Sequence, residues 1–374
     1  MNDEATRGGL DANGTKRRSR WGRRTPYGIR RDPRDHWRAP VASDNAGTYA
    51  ALDLGTNNCR LLVARPTFDG FRVVDAFSRI IRLGEGVAAS GRISEAAIMR
   101  AVEALGVCRQ KMRARGVGRA RLIATAACRA AENGEEFRSR VAKEAGLELE
   151  IIDSATEARL AATGCTELFD PQASGIILFD IGGGSSELVR LNRSHPGRSG
   201  PPSPDIVGWA SLPVGVVTLA ERYGGKTVSG EIYQAMVEEV AVLVDRFAAE
   251  HCTDLGAFHT LGTSGTVTTI AGVFLRLPRY DRRRVDGCWL SDDEISRVVA
   301  ELMAMSFEQR AANPCIGLER ADLVLAGCAI LDAIRRAFPC QRLRVADRGL
   351  REGMLVQMMR EDGVWDGRAR VAET

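Results

Sequence analysis

Long hydrophobic runs and paired cysteines are both missing from this 374-residue sequence. No run of 18 apolar residues occurs, so no membrane-spanning helix is predicted. The first residues are polar and basic without an apolar stretch, which argues against a secretory signal. The nine cysteines form no CxxC pair, and their odd number indicates reduced thiols in a cytoplasmic protein, with neither a disulfide framework nor a zinc site. Cys59, Cys128 and Cys165 are therefore expected to be small buried side chains.

Basic charge is concentrated at the N-terminus. Residues 1–47 carry one Lys and ten Arg against six acidic residues, a net charge of +5, whereas the whole chain has a net charge of +4. The segment contains Pro and Gly and has no helical or strand period, so a disordered arm is predicted. Two interpretations stay open: a solvated tail, or an electrostatic tether for polyanions such as nucleic acid or polyphosphate.

Two stretches repeat one pattern at the end of an apolar run. "AALDLGTNNCRLLVA" begins at residue 50 and "FDIGGGSSEL" begins at residue 179. In each, an aspartate (Asp53 or Asp180) is followed by an aliphatic residue and a glycine (Gly55 or Gly182), and the two aspartates lie 127 residues apart. That spacing is too long for a solenoid repeat. It favours a duplicated domain whose halves each begin with a strand, a glycine turn and a returning strand.

A third glycine turn lies in "HTLGTSGTVTTIAG", which begins at residue 259. It predicts a strand, a turn and a helix start, where free N–H groups attract anions. Any one such turn is also typical of a tight hairpin, because glycine permits positive φ. Three of them together predict a cleft around a phosphate chain. The candidate phosphate-binding residues are Gly55, Thr56, Asn57, Asn58, Gly182, Gly183, Gly184, Ser185, Gly262, Ser264 and Gly265.

Apolar residues at helical spacing predict helices that begin near Ser94, Ser229 and Ser291, the last with a capping box to Glu294. Short β-rich runs alternate with these helices, which predicts an α/β chain with helices covering its sheets. The proline-rich segment 192–205 predicts an exposed loop. The chain is long enough for two domains with separate cores.

Six blocks, taken in order, resemble the exopolyphosphatase and guanosine pentaphosphate phosphatase family: "DLGTNN", "ATAACRAAENGEEF", "IIDSATEARLAATG", "LFDIGGGSSELV", "LGTSGTV" and "RADLVLAGCAIL…RGLREGML". The resemblance implies the fold of the actin, Hsp70 and sugar-kinase superfamily, with two duplicated ribonuclease-H-like domains and a cleft between them. Domain I is expected over 48–162, completed by a C-terminal helix at about 348–362, and domain II over 163–347.

Hydrolysis of a phosphoanhydride requires charge neutralisation, an aligned water and a base. Asp180 is the main candidate ligand for Mg²⁺ or Mn²⁺, with Glu187 and Asp53 as further candidates. These few carboxylates are enough to bind the ion, because Mg²⁺ keeps most of its waters and needs only one or two carboxylates. The alternative is that Asp180 merely caps its own turn.

The resemblance also implies two catalytic residues. Glu157 matches the family acid that activates water, and Arg129 matches the family arginine beside the phosphate, a role that suits a planar guanidinium. The family usually has another acid where this chain has Thr156, and a serine where it has Asn58. From the residues alone, Glu157 is typical of a helix N-terminus and Arg129 of a helix surface.

By resemblance, the expected activity is removal of the terminal phosphate from inorganic polyphosphate, from guanosine pentaphosphate, or from both, the nucleotide linking the protein to the stringent response. The extra helical module of longer members does not follow "RGLREGML", which favours shorter polyphosphate or the nucleotide. The alternatives are an ATPase or kinase of the same superfamily and a non-catalytic polyphosphate or nucleotide binder. No membrane partner is expected, and a homodimer is one option for assembly.

Overall fold

The computed structural model describes residues 47–192 and 201–366. The predicted disordered arm and most of the predicted loop at 192–205 lie outside these residues. The strands are β1 (Tyr49–Leu54), β2 (Asn58–Pro66), β3 (Phe71–Ile80), β4 (Arg119–Ala124), β5 (Glu150–Ile151), β6 (Gly175–Ile181), β7 (Ser186–Asn192), β8 (Asp205–Leu212), β9 (Phe258–Thr263), β10 (Trp289–Ser291) and β11 (Arg342–Ala346).

The helices are α1 (Val87–Ser90), α2 (Glu95–Ala114), α3 (Ala126–Ala130), α4 (Gly134–Ala145), α5 (Ser154–Cys165), α6 (Val216–Tyr223), α7 (Gly230–His251), α8 (Gly265–Phe274), α9 (Arg282–Val285), α10 (Asp292–Ala304), α11 (Phe307–Ala312), α12 (Val324–Ala337) and α13 (Leu350–Glu361), with a 3₁₀ turn at Thr166–Leu168. The predicted helix starts are confirmed at Ser94, Ser229 and Ser291, whose hydroxyl oxygens each accept a first-turn backbone N–H.

The strands form two sheets with matching topology. The first has the order β3-β2-β1-β4-β5, and the second has the order β10-β11-β9-β6-β7-β8. In each, three antiparallel strands (β1–β3 or β6–β8) form one side, and the first of them pairs in parallel with a crossover strand, β4 or β9. The second sheet therefore repeats the first and adds β10 at one edge. The predicted α/β duplication is visible in this order, while the predicted domain boundaries stay predictions.

Helices α5 and α13 cross with their backbones in direct contact. A Cβ atom added to Gly164 would lie 1.9 Å from the carbonyl oxygen of Gly349, and one added to Gly353 would lie 1.9 Å from that of Leu160. Only glycine permits so close an approach. On its other side α13 packs on β1, where Met354 and Met358 share a buried cluster with strand residues. The last helix of the described chain therefore joins its first strand to α5.

All nine cysteines are free thiols. Cys59, Cys128 and Cys165 are buried among apolar side chains, as predicted. Among residues 47–192 and 201–366, no helix has the length and apolar character needed to cross a membrane.

Candidate active site

Two equivalent turns face each other at the ends of β1 and β6. In the first, the Gly55 N–H donates to the Asn58 carbonyl at 2.9 Å, and in the second the Gly182 N–H donates to the Ser185 carbonyl at 2.9 Å. The turns touch, because a Cβ atom added to Gly183 would lie 2.9 Å from the Cβ of Thr56. The two sequence repeats therefore form the same backbone turn, and the two turns lie against each other.

Backbone N–H groups in both turns have no partner in the described part of the chain. These are the N–H groups of Thr56, Asn57, Gly183, Gly184 and Ser185. In the second turn the carbonyl oxygens of Gly182 and Gly183 accept from the N–H groups that begin α6. These carbonyl oxygens are therefore already used by α6. The N–H groups of the same turn remain available to a different acceptor. Clustered N–H groups of this kind bind anions such as phosphate.

The third turn adds a helix start to the same cleft. Strand β9 ends at Thr263, and α8 begins at Gly265. Between them Ser264 has φ 97°, a conformation that costs a non-glycine residue about 1–3 kcal/mol. The predicted strand, turn and helix start are confirmed, and the first N–H groups of α8 are positioned for an anion.

The three turns line one cleft with about 1170 Å³ of empty space, part of it open to solvent. It brings together most of the predicted site residues: Asp53, Gly55, Thr56, Asn57, Asn58, Glu157, Asp180, Gly182, Gly183, Gly184, Ser185, Glu187, Ser264 and Gly265. Two predicted residues are absent from this lining. Gly262 lies within β9, where an added Cβ would be 2.7 Å from the ring of Phe179, so its small size serves packing. Arg129 is hydrogen-bonded to Glu157, which does line the cleft.

Arg129 contacts the candidate base. Its Nη1 donates to Glu157 Oε2 at 2.7 Å and to the Ile152 carbonyl at 2.9 Å. Glu157 stands in the first turn of α5, and its side chain is 13% exposed. Burial first, and the charge of Glu187 after it, raise the pKa of Glu157 to about 8, although the Arg129 guanidinium acts in the opposite direction. Arg129 thus orients this carboxylate and favours its ionised form.

Three further carboxylates, those of Asp53, Asp180 and Glu187, line the same cleft. Asp180 is the direct cross-strand neighbour of Glu187, whereas Asp53 has Arg60 at the equivalent place. Burial and then the charge of Glu187 raise the pKa of Asp180 to about 7. Burial also raises the pKa of Asp53 and of Glu187. Like charges directly opposite each other on a sheet are unfavourable, so a cation at this place would relieve the repulsion.

Two hydroxyl groups hold Glu187. Its Oε1 accepts from Ser185 at 2.7 Å and from Ser211, on β8, at 2.9 Å. Among the described residues, no hydroxyl group donates to its second carboxylate oxygen, which is available to a cation or a water. The sequence does not indicate Ser211 as a site residue. A serine on a strand has no distinguishing feature, and only the strand register places Ser211 beside Glu187.

The donor chemistry suits Mg²⁺ or Mn²⁺, because these ions prefer carboxylate and phosphate oxygens. Within residues 47–192 and 201–366, however, no three His, Cys, Asp or Glu side chains are close enough to form a metal cage. The arrangement therefore fits a cation held by one or two carboxylates, with water and substrate oxygens completing its shell.

Three arginines that were not selected from the sequence also line the cleft: Arg60, Arg320 and Arg351. Burial lowers the pKa of Arg320 and Arg351, although arginine stays cationic in proteins. No hydrogen bond or ion pair to another described residue holds these three guanidinium groups. Arg320 and Arg351 fall within the quoted blocks "RADLVLAG" and "RGLREGML", so the family resemblance could have indicated them as site residues. Alone, however, such arginines are typical of a solvated surface.

Buried oxygens without partners mark the same cleft. Asn57 Oδ1, Asn58 Oδ1 and Ser264 Oγ are buried and have no hydrogen-bond partner in the described chain. Unpaired buried polar atoms cost about 1–3 kcal/mol each and are concentrated where a ligand completes the network. Their location indicates that the two turns and the start of α8 together form a ligand-binding site.

The chain belongs to the Ppx/GppA phosphatase family, whose model matches residues 62–362. A Haemophilus influenzae relative named "Putative exopolyphosphatase" is 26% identical over 334 residues, which cover 89% of this chain and 98% of the relative. A guanosine-5'-triphosphate,3'-diphosphate pyrophosphatase of Aeromonas salmonicida is also 26% identical, over 331 residues, and this chain spans only 63% of its length.

Solved structures agree with this assignment. The crystal structure of the Aquifex aeolicus member of the Ppx/GppA family superposes with a TM-score of 0.70 at 27% identity, covering 84% of this chain and 98% of that one. An exopolyphosphatase-like protein superposes with a TM-score of 0.75 at 28% identity and covers the same share of each chain. The predicted family and the predicted actin-like α/β fold are both confirmed.

Proposed function

We propose that this protein hydrolyses the terminal phosphoanhydride of inorganic polyphosphate, guanosine pentaphosphate, or both. The observation that carries this proposal is the pair of opposed turns, in which five backbone N–H groups have no partner among the described residues, with Glu157 in the same cleft. The named activities of the relatives, exopolyphosphatase and pentaphosphate pyrophosphatase, support the same reaction class.

Each part of the cleft would have one task. The N–H groups of the turns and of the α8 start would bind the terminal phosphoryl oxygens, and Arg60, Arg320 and Arg351 would bind the phosphates that precede the terminal one. Glu157, oriented by Arg129, would accept a proton from the attacking water. As the water oxygen bonds to the terminal phosphorus, the bond from that phosphorus to the bridging oxygen would break, and the shortened polyphosphate or nucleotide would leave as an anion with the electron pair of that bond. Fixed donors are effective here because they need no reorganisation as charge shifts in the transition state.

Asp180, with Glu187 or Asp53, would hold a Mg²⁺ or Mn²⁺ ion. When bound, such an ion would neutralise part of the phosphate charge and relieve the repulsion between the carboxylates. The protein's own residues fix the position: Glu187 is held by Ser185 and Ser211, and Asp180 by its place at the end of β6.

A phosphate-release assay tests the proposal. Long polyphosphate, tripolyphosphate, guanosine pentaphosphate and ATP are compared with Mg²⁺, with Mn²⁺ and with a chelator. We expect phosphate release from at least one of the first three, above release from ATP. Faster formation of ADP from ATP would instead support an ATPase or kinase, and tight binding without release would support a binding protein.

A further inference from the structure

The segment that follows β3 holds the first phosphate turn. The N–H groups of Ile81 and Arg82 donate to the Asn57 carbonyl oxygen at 2.9 and 3.1 Å, and the Gly84 N–H donates to the Thr56 carbonyl oxygen at 2.9 Å. Helix α6 holds the carbonyl oxygens of the second turn in the same way. The N–H groups of the first turn therefore remain available to phosphate.

Helix α2 anchors the backbone of this segment. Arg100 donates to the carbonyl oxygens of Ile81 and Arg82 at 2.8 and 3.2 Å, and to the Glu85 carboxylate at 3.3 Å. None of these contacts involves the Arg82 side chain. We therefore expect the segment to keep its place when that side chain is removed.

Arg82 has a backbone conformation that favours glycine. Its φ is 45°, in the left-handed region, where an arginine is strained. Glycine would adopt the same φ without strain. Strain of this kind is typical of functional positions, so the arginine side chain is the feature to explain.

The Arg82 side chain joins elements of the two sheets. Its Nη1 and Nη2 donate to the two carboxylate oxygens of Asp322, each at 3.0 Å, and Nη2 also donates to the Glu319 carbonyl oxygen at 3.0 Å. Arg82 follows β3 of the first sheet, whereas Asp322 lies just before α12, which packs in the core of the second sheet. A guanidinium bound to a carboxylate through two parallel hydrogen bonds fixes orientation as well as distance.

The segment that Arg82 contacts carries one of the cleft arginines. Arg320 lies between Glu319 and Asp322 and lines the cleft, and no hydrogen bond or ion pair to a described residue holds its guanidinium. Its place in the cleft therefore depends on how its backbone is held. Arg82 holds that backbone through the residue before Arg320 and through the second residue after it.

We infer that Arg82 is a positioning residue that sets the distance between the N–H groups of the first turn and the Arg320 guanidinium. This inference rests on the proposed function, in which one phosphate chain is bound by both groups. Arg82 is absent from the described residues that line the cleft, and its guanidinium is occupied by Asp322 and Glu319. Loss of its side chain should therefore act on substrate only through Arg320.

A double-mutant cycle between Arg82 and Arg320 tests this coupling. Arg82→Gly removes the side chain and relieves the backbone strain, and Arg320→Ala removes the cleft guanidinium. Steady-state phosphate release from tripolyphosphate with Mg²⁺ is measured for both variants and for their combination, and thermal unfolding reports whether each is folded. Arg79→Ala is the matched control, because the ion pair of Arg79 with Glu103 joins β3 only to α2.

We expect Arg82→Gly and Arg320→Ala each to raise KM about 10-fold with kcat within about twofold, because both affect the binding of phosphates that do not react. The combined variant should be close to Arg320→Ala alone, since a residue that acts through Arg320 then has nothing left to position. Arg79→Ala should match the unsubstituted protein in KM. An unchanged KM in Arg82→Gly, or losses that multiply in the combined variant, would overturn the inference.

A charge swap gives an independent readout. Arg82→Asp combined with Asp322→Arg restores an ion pair between the same two segments, and it should recover most of the KM that either single change loses. Recovery of thermal stability without recovery of KM would show that the pair is merely structural. If no substrate releases phosphate, the proposed hydrolysis fails, and calorimetric binding of tripolyphosphate to the same variants decides the positioning role by the same cycle.

Discussion

Arg129 donates a 2.7 Å hydrogen bond to Glu157, and of these two residues only Glu157 lines the cleft. The two side chains therefore form one unit, and we expect substitutions of Arg129 and of Glu157 to have different kinetic effects. Glu157 faces the cleft, whereas Arg129 is bound to that glutamate and to the Ile152 carbonyl.

Replacing Glu157 by Gln should leave phosphate binding intact and lower kcat about 10²–10⁴-fold, because an amide has the same shape but cannot accept the proton of water. Phosphate release and equilibrium binding of tripolyphosphate are measured side by side. Glu103→Gln, on the exposed face of α2, is the control. A kcat within twofold of the original protein would remove Glu157 from the role of base.

Arg129→Ala should lower kcat with little change in KM, and Arg129→Lys should recover part of the loss. Since Arg129 lowers the pKa of Glu157, its removal should raise that pKa, and the acid limb of the kcat–pH profile should move to higher pH. The profile is recorded for all three proteins. A large increase in KM with an unmoved acid limb would show that Arg129 binds substrate phosphate instead.

Asp180→Ala should abolish metal-dependent phosphate release while the protein stays folded. The substitution removes one of two carboxylates directly opposite each other, so the midpoint of thermal unfolding should be unchanged or higher. Activity is titrated with Mg²⁺ and compared with Asp293→Ala at the exposed start of α10. Full activity at low Mg²⁺ would contradict the cation role, and a lower unfolding midpoint would favour a turn cap.

Asp75→Asn should destabilise the fold by about 1 kcal/mol at neutral pH, because Asp75 contacts both Lys111 and Arg115 and those partners are partly exposed. Lys111 first, and Arg115 after it, lower the pKa of Asp75 to about 2. This contribution is present above the ordinary pKa of about 4 and is lost as pH falls toward 2. Urea unfolding at pH 7 and pH 3 should therefore show a smaller difference between the two proteins at pH 3. An equal difference at both values would exclude the ion pairs as its cause.

Deleting residues 1–46 should weaken the apparent affinity for long polyphosphate at low salt and leave kcat unchanged. The arm's charge of +5 attracts a polyanion, and such attraction is screened beyond about 8 Å at physiological salt. Guanosine pentaphosphate is too short to reach both arm and cleft, so its affinity should change little. Affinities are measured for both substrates at two ionic strengths. Identical values for long polyphosphate at low salt would identify the arm as a passive tail.

Local signals predicted much of this molecule. The 127-residue repeat predicted the duplicated sheets, because the turn after Asp53 and the turn after Asp180 are fixed by the residues within them. Ser94, Ser229 and Ser291 marked helix starts for the same reason. Contacts that depend on tertiary register could not be predicted: Ser211 meets Glu187 only through β7–β8 pairing, and Arg320 reaches the cleft only through the packing before α12. The hydrogen bond between Arg129 and Glu157 is a third contact that could not be predicted from the sequence.

The glycine crossing of α5 and α13 has a consequence for biosynthesis. Glu157 is carried on α5, and α5 is joined to β1 by a helix, α13, that is synthesised long after both of them. Domains fold as units once their sequence is available, with N-terminal parts first. Here the cluster that β1 shares with α13 stays uncovered until α13 has been synthesised, about 300 residues later in the chain. The nascent chain can therefore form the first turn early, but α5 and its Glu157 reach their final packing only after α13 has been synthesised.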